Sequence, residues 1–268
     1  MENIRRQLEQ QLTGLVIERV RVHDPRLTAP ATSAAFSRRL RGRRIEAVTR
    51  RGKYLRLRLD DGGLLVIHLR MTGVLRFEPE RARPVPAAHL RMTVTFAGGG
   101  RLSFHDQRRF GTAMVLEPTE ETAYFQRLGP EPLERGFNPA RLQSIIDGRR
   151  RPIKSLLLDQ RLIAGIGNIY ADEALFRARI KPTRSAAGIS AAEAERLSAA
   201  IKATLRDAIR LQGSSIDTYR DSGGRRGRFQ ETFRVHRRAG EPCPDCGGKV
   251  EKIRVGGRGT YFCPRCQR

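Results

Sequence analysis

The spacing of apolar residues shifts along the chain, and each shift marks a different kind of structure. Over residues 3–12 the apolar positions Ile4, Leu8 and Leu12 recur every four residues, which predicts a short amphipathic helix. From about residue 15 to 117 the period drops to two. Leu15-Val16-Ile17 opens one strand, residues 54–59 alternate apolar side chains with arginine, and Asp61-Gly62-Gly63 turns the chain into Leu64-Leu65-Val66-Ile67-His68. Met92-Thr93-Val94-Thr95-Phe96, the turn Gly98-Gly99-Gly100 and Leu102-Ser103-Phe104 read as another hairpin. This is an antiparallel β-rich domain, expected to be a sandwich.

After Pro118 the pattern becomes helical, with segments at 119–128, 139–146, 153–159 and 168–177. Ser190 and Glu193 have the spacing of a capping box ahead of Leu197, Ile201 and Leu205, and open the longest helix. Residues 213–231 are rich in Gly, Ser and Arg, including Ser222-Gly223-Gly224-Arg225-Arg226-Gly227-Arg228, and are expected to form a flexible loop. All four cysteines fall in the last 26 residues, as Cys243-Pro-Asp-Cys246 and Cys263-Pro-Arg-Cys266. Two such knuckles flanking a hairpin-length insert suit a tetrahedral four-thiolate zinc site. The alternative, a pair of disulfides, belongs to oxidising compartments, and the residues after Met1 form no apolar signal segment. One structural Zn2+ is therefore expected, held by Cys243, Cys246, Cys263 and Cys266.

Charge narrows the choice of partner. Among 268 residues, 52 Lys+Arg face 28 Asp+Glu, a net charge of +24. A surplus of this size repels itself unless a polyanion neutralises it, so nucleic acid is the first expectation and an anionic membrane surface the second. No apolar stretch has transmembrane length, and no basic helix carries a large aromatic face, which removes support for the membrane.

The most specific internal segment runs Leu158-Asp159-Gln160-Arg161-Leu162-Ile163-Ala164-Gly165-Ile166-Gly167-Asn168-Ile169-Tyr170-Ala171-Asp172-Glu173. A helix, a Gly-x-Gly turn and a second helix beginning near Asn168 would offer backbone N–H groups to a phosphate, although an ordinary packing joint gives the same bare pattern. The whole run resembles the helix–two-turn–helix (H2TH) of the formamidopyrimidine-DNA glycosylase and endonuclease VIII family. So do Arg51-Gly52-Lys53-Tyr54-Leu55, His68-Leu69-Arg70-Met71-Thr72-Gly73, Asp106-Gln107-Arg108-Arg109-Phe110-Gly111, Leu128-Gly129-Pro130-Glu131-Pro132-Leu133 and the four-cysteine finger. The resemblance covers essentially the full length, in order. It implies an α+β multidomain protein: an N-terminal antiparallel β-sandwich with a flanking helix (1–118), a helical H2TH domain (119–213), a lesion-capping loop or linker (214–231) and a zinc finger (232–268).

It also implies a base-excision-repair glycosylase and abasic-site lyase acting on double-stranded DNA with oxidised bases, chiefly 8-oxoguanine and formamidopyrimidines. A monomer in the bacterial cytoplasm, associated with the nucleoid, is expected. Position by position, Lys53 matches the family's catalytic lysine, and Met71, Arg108 and Phe110 match the residues that fill the space left by the flipped nucleotide. Apolar and flat side chains suit lost stacking, and arginine suits the widowed cytosine. Arg150 and Lys154 match DNA-contacting positions, Asn168 the phosphate-binding asparagine, and Arg258 the finger arginine associated with phosphate binding and δ-elimination. His68 and His89 stand near family histidine positions, with function and a plain structural hydrogen bond weighed equally. Another usual histidine is replaced by Ala87.

The resemblance departs at the amino end. Family members begin approximately Met-Pro-Glu-Leu-Pro-Glu-Val-Glu, and the amine of that first proline is the nucleophile. Here Met1-Glu2-Asn3-Ile4 places Met1 at the valine position, without the Pro-Glu pair. A mis-assigned start at a GTG codon, a catalytically inactive damaged-DNA-binding paralogue, or an enzyme using Lys53 or the Met1 amine would each account for this. On the first helix, the Met1 amine is expected to lie away from the pocket. Within the family, an endonuclease VIII-like enzyme for oxidised pyrimidines is the other expectation, with Arg108-Arg109-Phe110 and the 213–231 loop favouring the purine branch.

Overall fold

A computed structural model describes residues 1–79, 87–214 and 226–268. The chain divides into two compact units, Met1–Gln126 with Gln212–Arg228, and Arg127–Leu211 with Phe229–Arg268. Much of the predicted 213–231 loop, at 215–225, lies outside the described residues; Ser214 and Arg228 at its ends form an antiparallel bridge.

The first unit contains α1 (Glu2–Leu12), β1 (Ile17–Val22), α2 (Ser33–Leu40), β2 (Ile45–Arg51), β3 (Tyr54–Leu59), β4 (Leu64–His68), β5 (Gly73–Glu78), β6 (Leu90–Phe96), β7 (Arg101–Asp106), β8 (Thr112–Leu116) and α3 (Pro118–Gln126). The strands form two antiparallel four-stranded sheets, ordered β1-β6-β7-β5 and β2-β3-β4-β8. One core joins them: Leu55, Leu57 and Leu59 from one sheet, Met92, Val94 and Phe104 from the other, and Ile4, Leu8 and Leu12 from α1. The expected sandwich and its flanking helix are present. The alternation along β3 has a simple cause, since its leucines enter the core while Arg56 and Arg58 turn out to share the Glu121 carboxylate of α3. Pattern reading missed α2, whose inward positions are only Phe36 and Leu40 with serine and arginine between. A capping hydroxyl, Thr32 accepting from the Ala35 N–H, starts that helix.

The second unit contains α4 (Pro139–Ile146), α5 (Ile153–Leu158), α6 (Asn168–Arg177), α7 (Ala191–Arg210) and the hairpin of β9 (Glu251–Val255) with β10 (Arg258–Phe262). Its helical core gathers Leu142, Ile146, Leu156, Leu157, Leu175, Leu197 and Ile201. The Ser190–Glu193 capping box forms as its spacing predicts. A small separate cluster of Phe176, Val235, Val250, Cys243 and Cys263 packs the finger against α6. Among the described residues, no helix is long and apolar enough to cross a membrane.

Candidate nucleic-acid interface

In the first unit the β4–β5 turn and the β7–β8 loop carry Met71 and Phe110. These are the large hydrophobic side chains left exposed among the described residues, at 58% and 53%. The residue just before each is a non-glycine in the left-handed region, Arg70 at φ 53 and Arg109 at φ 59. That conformation costs an L-residue roughly 1–2 kcal/mol and persists only where the surroundings fix it. Arg108 is also exposed, with its guanidinium carbon 4.8 Å from the Phe110 ring centre. The structure thus brings Met71, Arg108 and Phe110 onto two loops joined to the same strand pair, β5 and β7.

His68 lies behind the first loop. Its Nδ1 accepts the Arg70 N–H at 2.9 Å, and its ring packs edge-on to Tyr54 at 4.6 Å. Burial, then Arg70 and Lys53, push its pKa down to about 4. The structural hydrogen bond, one of the two roles weighed for His68, is present in the fold. His89 is exposed with φ 62, and its carbonyl accepts the Asp106 N–H at 2.9 Å.

Lys53 sits half-buried at the end of the β2–β3 turn, after Gly52 at φ 56, a backbone conformation suited to glycine. On one side of that turn Arg50 Nε donates to Glu2 Oε2 at 2.7 Å, while Glu2 Oε1 also accepts from Arg5 and Arg6. These arginines hold the Glu2 carboxyl near a pKa of about 2 despite partial burial. The start of α1 is thereby fastened beside Lys53. Met1 is half-buried, and burial, Arg50 and Lys53 push the pKa of its amine down to about 6. The Glu2–Arg50 pair ties the first turn of α1 to the end of β2, which leads into the turn that carries Lys53.

In the second unit Arg150 and Arg258 are exposed, whereas Lys154 is fully buried. Its ammonium pairs with Asp172 Oδ1 at 2.6 Å and donates to the Gly259 carbonyl at 3.0 Å and Thr260 Oγ1 at 2.7 Å. With every N–H engaged, it has none to offer DNA, so the expected direct contact is corrected to an internal role. Asn168, at the start of α6, donates Nδ2 to the same Gly259 carbonyl at 3.0 Å. Both residues therefore hold the strand start that carries Arg258. Asp172 also bonds His236 Nδ1 at 2.7 Å, and Glu173 accepts the backbone N–H groups of Arg234, Val235 and His236. Sequence reading assigned Asp172, Glu173 and His236 no role. The available signal was two adjacent acids in a helix whose residues 171–176 are all buried.

The four cysteines are free, and their sulfurs lie within 4.8 Å of one another. A tetrahedron with Zn–S bonds of about 2.3 Å has edges of about 3.8 Å. The Cys243–Cys266 and Cys246–Cys263 sulfurs are 3.8 and 3.5 Å apart, so the set fits one zinc ion. Four thiolates leave the ion no open position, and it serves to hold the finger.

Comparison with known proteins agrees along the whole length. Residues 1–113 match the formamidopyrimidine-DNA glycosylase N-terminal domain, 128–220 its H2TH domain, and 240–268 the zinc finger found in FPG and IleRS. The formamidopyrimidine-DNA glycosylase of Chloroflexus aurantiacus is 46% identical over 100% of this chain and 95% of its own length. That of Heliobacterium modesticaldum is 43% identical over 100% and 98%. The Lactococcus lactis Fpg, solved in complex with abasic-site DNA, superposes with TM-score 0.92 at 36% identity, covering 100% of this chain and 97% of that one. The same L. lactis protein has been solved with DNA containing Fapy-dG and with DNA containing an oxidised pyrimidine. With this agreement in sequence, domain order and fold, the chain belongs to the formamidopyrimidine-DNA glycosylase family.

Proposed function

We propose that this protein removes oxidised bases, chiefly 8-oxoguanine and formamidopyrimidines, from double-stranded DNA and then cleaves the abasic strand. The observation that carries the reading is the pair of exposed apolar side chains, Met71 and Phe110, beside Arg108. A soluble surface has no ordinary use for two such side chains on strained loop tips. Inserted into a duplex, they replace the stacking lost when a nucleotide leaves the helix, and Arg108 bonds the widowed base.

With a proline amine restored ahead of α1, as in the family's motif, that amine attacks the sugar C1′, the bond to the base breaks and the base departs with a proton. The C1′–O4′ bond then opens, O4′ taking a proton, to leave a Schiff base. Loss of a C2′ proton from the resulting Schiff base then expels the 3′ phosphate, and a second elimination expels the 5′ phosphate. Lys53, half-buried beside that helix start, donates a proton at the sugar. Arg258 and Asn168 bind phosphate around the lesion, and Arg150 adds a backbone contact. A location in the cytoplasm, with the nucleoid, follows from the substrate.

Borohydride trapping on a duplex containing 8-oxoguanine tests the reading. The chain should be compared with one carrying Pro-Glu-Leu-Pro-Glu ahead of Met1. A covalent adduct with the extended chain is expected. No adduct from either chain, on 8-oxoguanine or abasic DNA, would leave only a DNA-binding protein.

A further inference from the structure

We infer that Asp106 and Thr72 are a positioning pair that locks the two wedge loops into one preformed unit; this rests on the wedge reading above. Asp106 ends β7 and is almost fully buried, and among the described residues no cation pairs with its carboxylate. Its Oδ1 accepts the Thr72 hydroxyl and, at 3.3 Å, the Arg108 N–H. Its Oδ2 accepts the Gly111 N–H at 2.7 Å. Thr72 Oγ1 in turn accepts the Arg108 N–H at 3.1 Å.

One carboxylate therefore spans the whole 107–111 loop and fastens it to the residue next to Met71. Gly111 permits this closeness, because a Cβ there would sit 2.4 Å from Phe104 Cζ and 3.1 Å from Asp106 Oδ2. Arg70 and Arg109 adopt their left-handed conformations inside this clip. A charge buried in a very basic chain without a cation partner is costly, and here its bonds go to loop backbone and to Thr72. The result is a wedge set before DNA arrives, so that insertion spends little ordering entropy.

The test is the affinity of the full chain for a duplex bearing a tetrahydrofuran abasic analogue opposite cytosine, against the same duplex intact. Thr72→Val keeps the shape and removes the hydroxyl. We expect it to lower the lesion-to-intact affinity ratio about tenfold, the worth of one hydrogen bond to a charged group. Affinity for intact DNA should hold within about twofold, since phosphate contacts dominate there. Thr72→Ser should restore the ratio. Asp106→Asn should act like Thr72→Val or more strongly, and where it fails to fold, the Thr72 variants carry the test. An unchanged ratio in folded Thr72→Val overturns the clip, and so does an equal loss on both duplexes. Met71→Ala and Phe110→Ala serve as controls: if neither lowers the ratio, the wedge reading falls and takes the clip with it.

Discussion

Burial and the nearby cations Arg70 and Lys53 push the His68 pKa down to about 4, from an ordinary value of 6.5. Between those values the unfolded chain binds a proton that the folded chain refuses. Stability therefore falls as pH drops from about 6.5 and carries the full penalty below about 4, roughly 3 kcal/mol at most. His68→Gln should flatten that part of the stability–pH curve, measured by urea unfolding across pH 4.0–7.5. A second contrast concerns two basic residues of similar appearance in the sequence. Lys154→Met strands the Asp172 carboxylate in the interior and should cost about 3–5 kcal/mol of stability. Arg150→Met, at an exposed position, should change stability by no more than about 0.5 kcal/mol while weakening DNA binding. Urea unfolding and affinity measured on the same preparations separate the two. The sequence showed Lys154 as a charge near a DNA-binding motif. Its burial depends on Asp172, Gly259 and Thr260, which no local pattern ties to it.

Elements marked by punctuation were readable. Ser190 and Glu193 announced α7, glycine turns announced the β3–β4 and β6–β7 hairpins, and the cysteine spacing announced the finger. What stayed hidden lacked such marks. Strands β2 and β5 carry charged residues outward and are defined mainly by their antiparallel neighbours, β3 and β7. Ser190→Ala should cost about 1 kcal/mol through loss of the cap, read as a shift in the urea midpoint. Metal removal should act on one element selectively. Chelation should release one zinc per chain and strip hydrogen-exchange protection from β9 and β10, while β3 and β4 keep theirs, because their core is separate. Loss of protection in both places at once would show that the finger supports more than itself. Lys154 and Asn168 would lose a shared acceptor with the hairpin, so Arg258 would lose its seat.

At the scale of the molecule, the net charge of +24 governs encounter with DNA. If six to ten phosphates are neutralised, affinity for intact duplex should fall by about 10³–10⁵ between 50 and 200 mM salt. A titration with a shallow slope would mean that the excess charge faces elsewhere. The exposed loop tips have a further consequence away from DNA. A protein stored alone presents Met71 and Phe110 to other copies of itself, and mutual repulsion keeps those copies apart. Arg108, stacked on Phe110, covers one face of the ring and places a positive charge at the tip. Salt that loosens DNA also shortens the range of that repulsion to about 8 Å near 0.15 M. Colloidal stability and substrate recognition therefore share the same few side chains. An Arg108→Ala preparation should scatter more light than the parent at equal concentration and high salt, with an additional Phe110→Ser change reversing it.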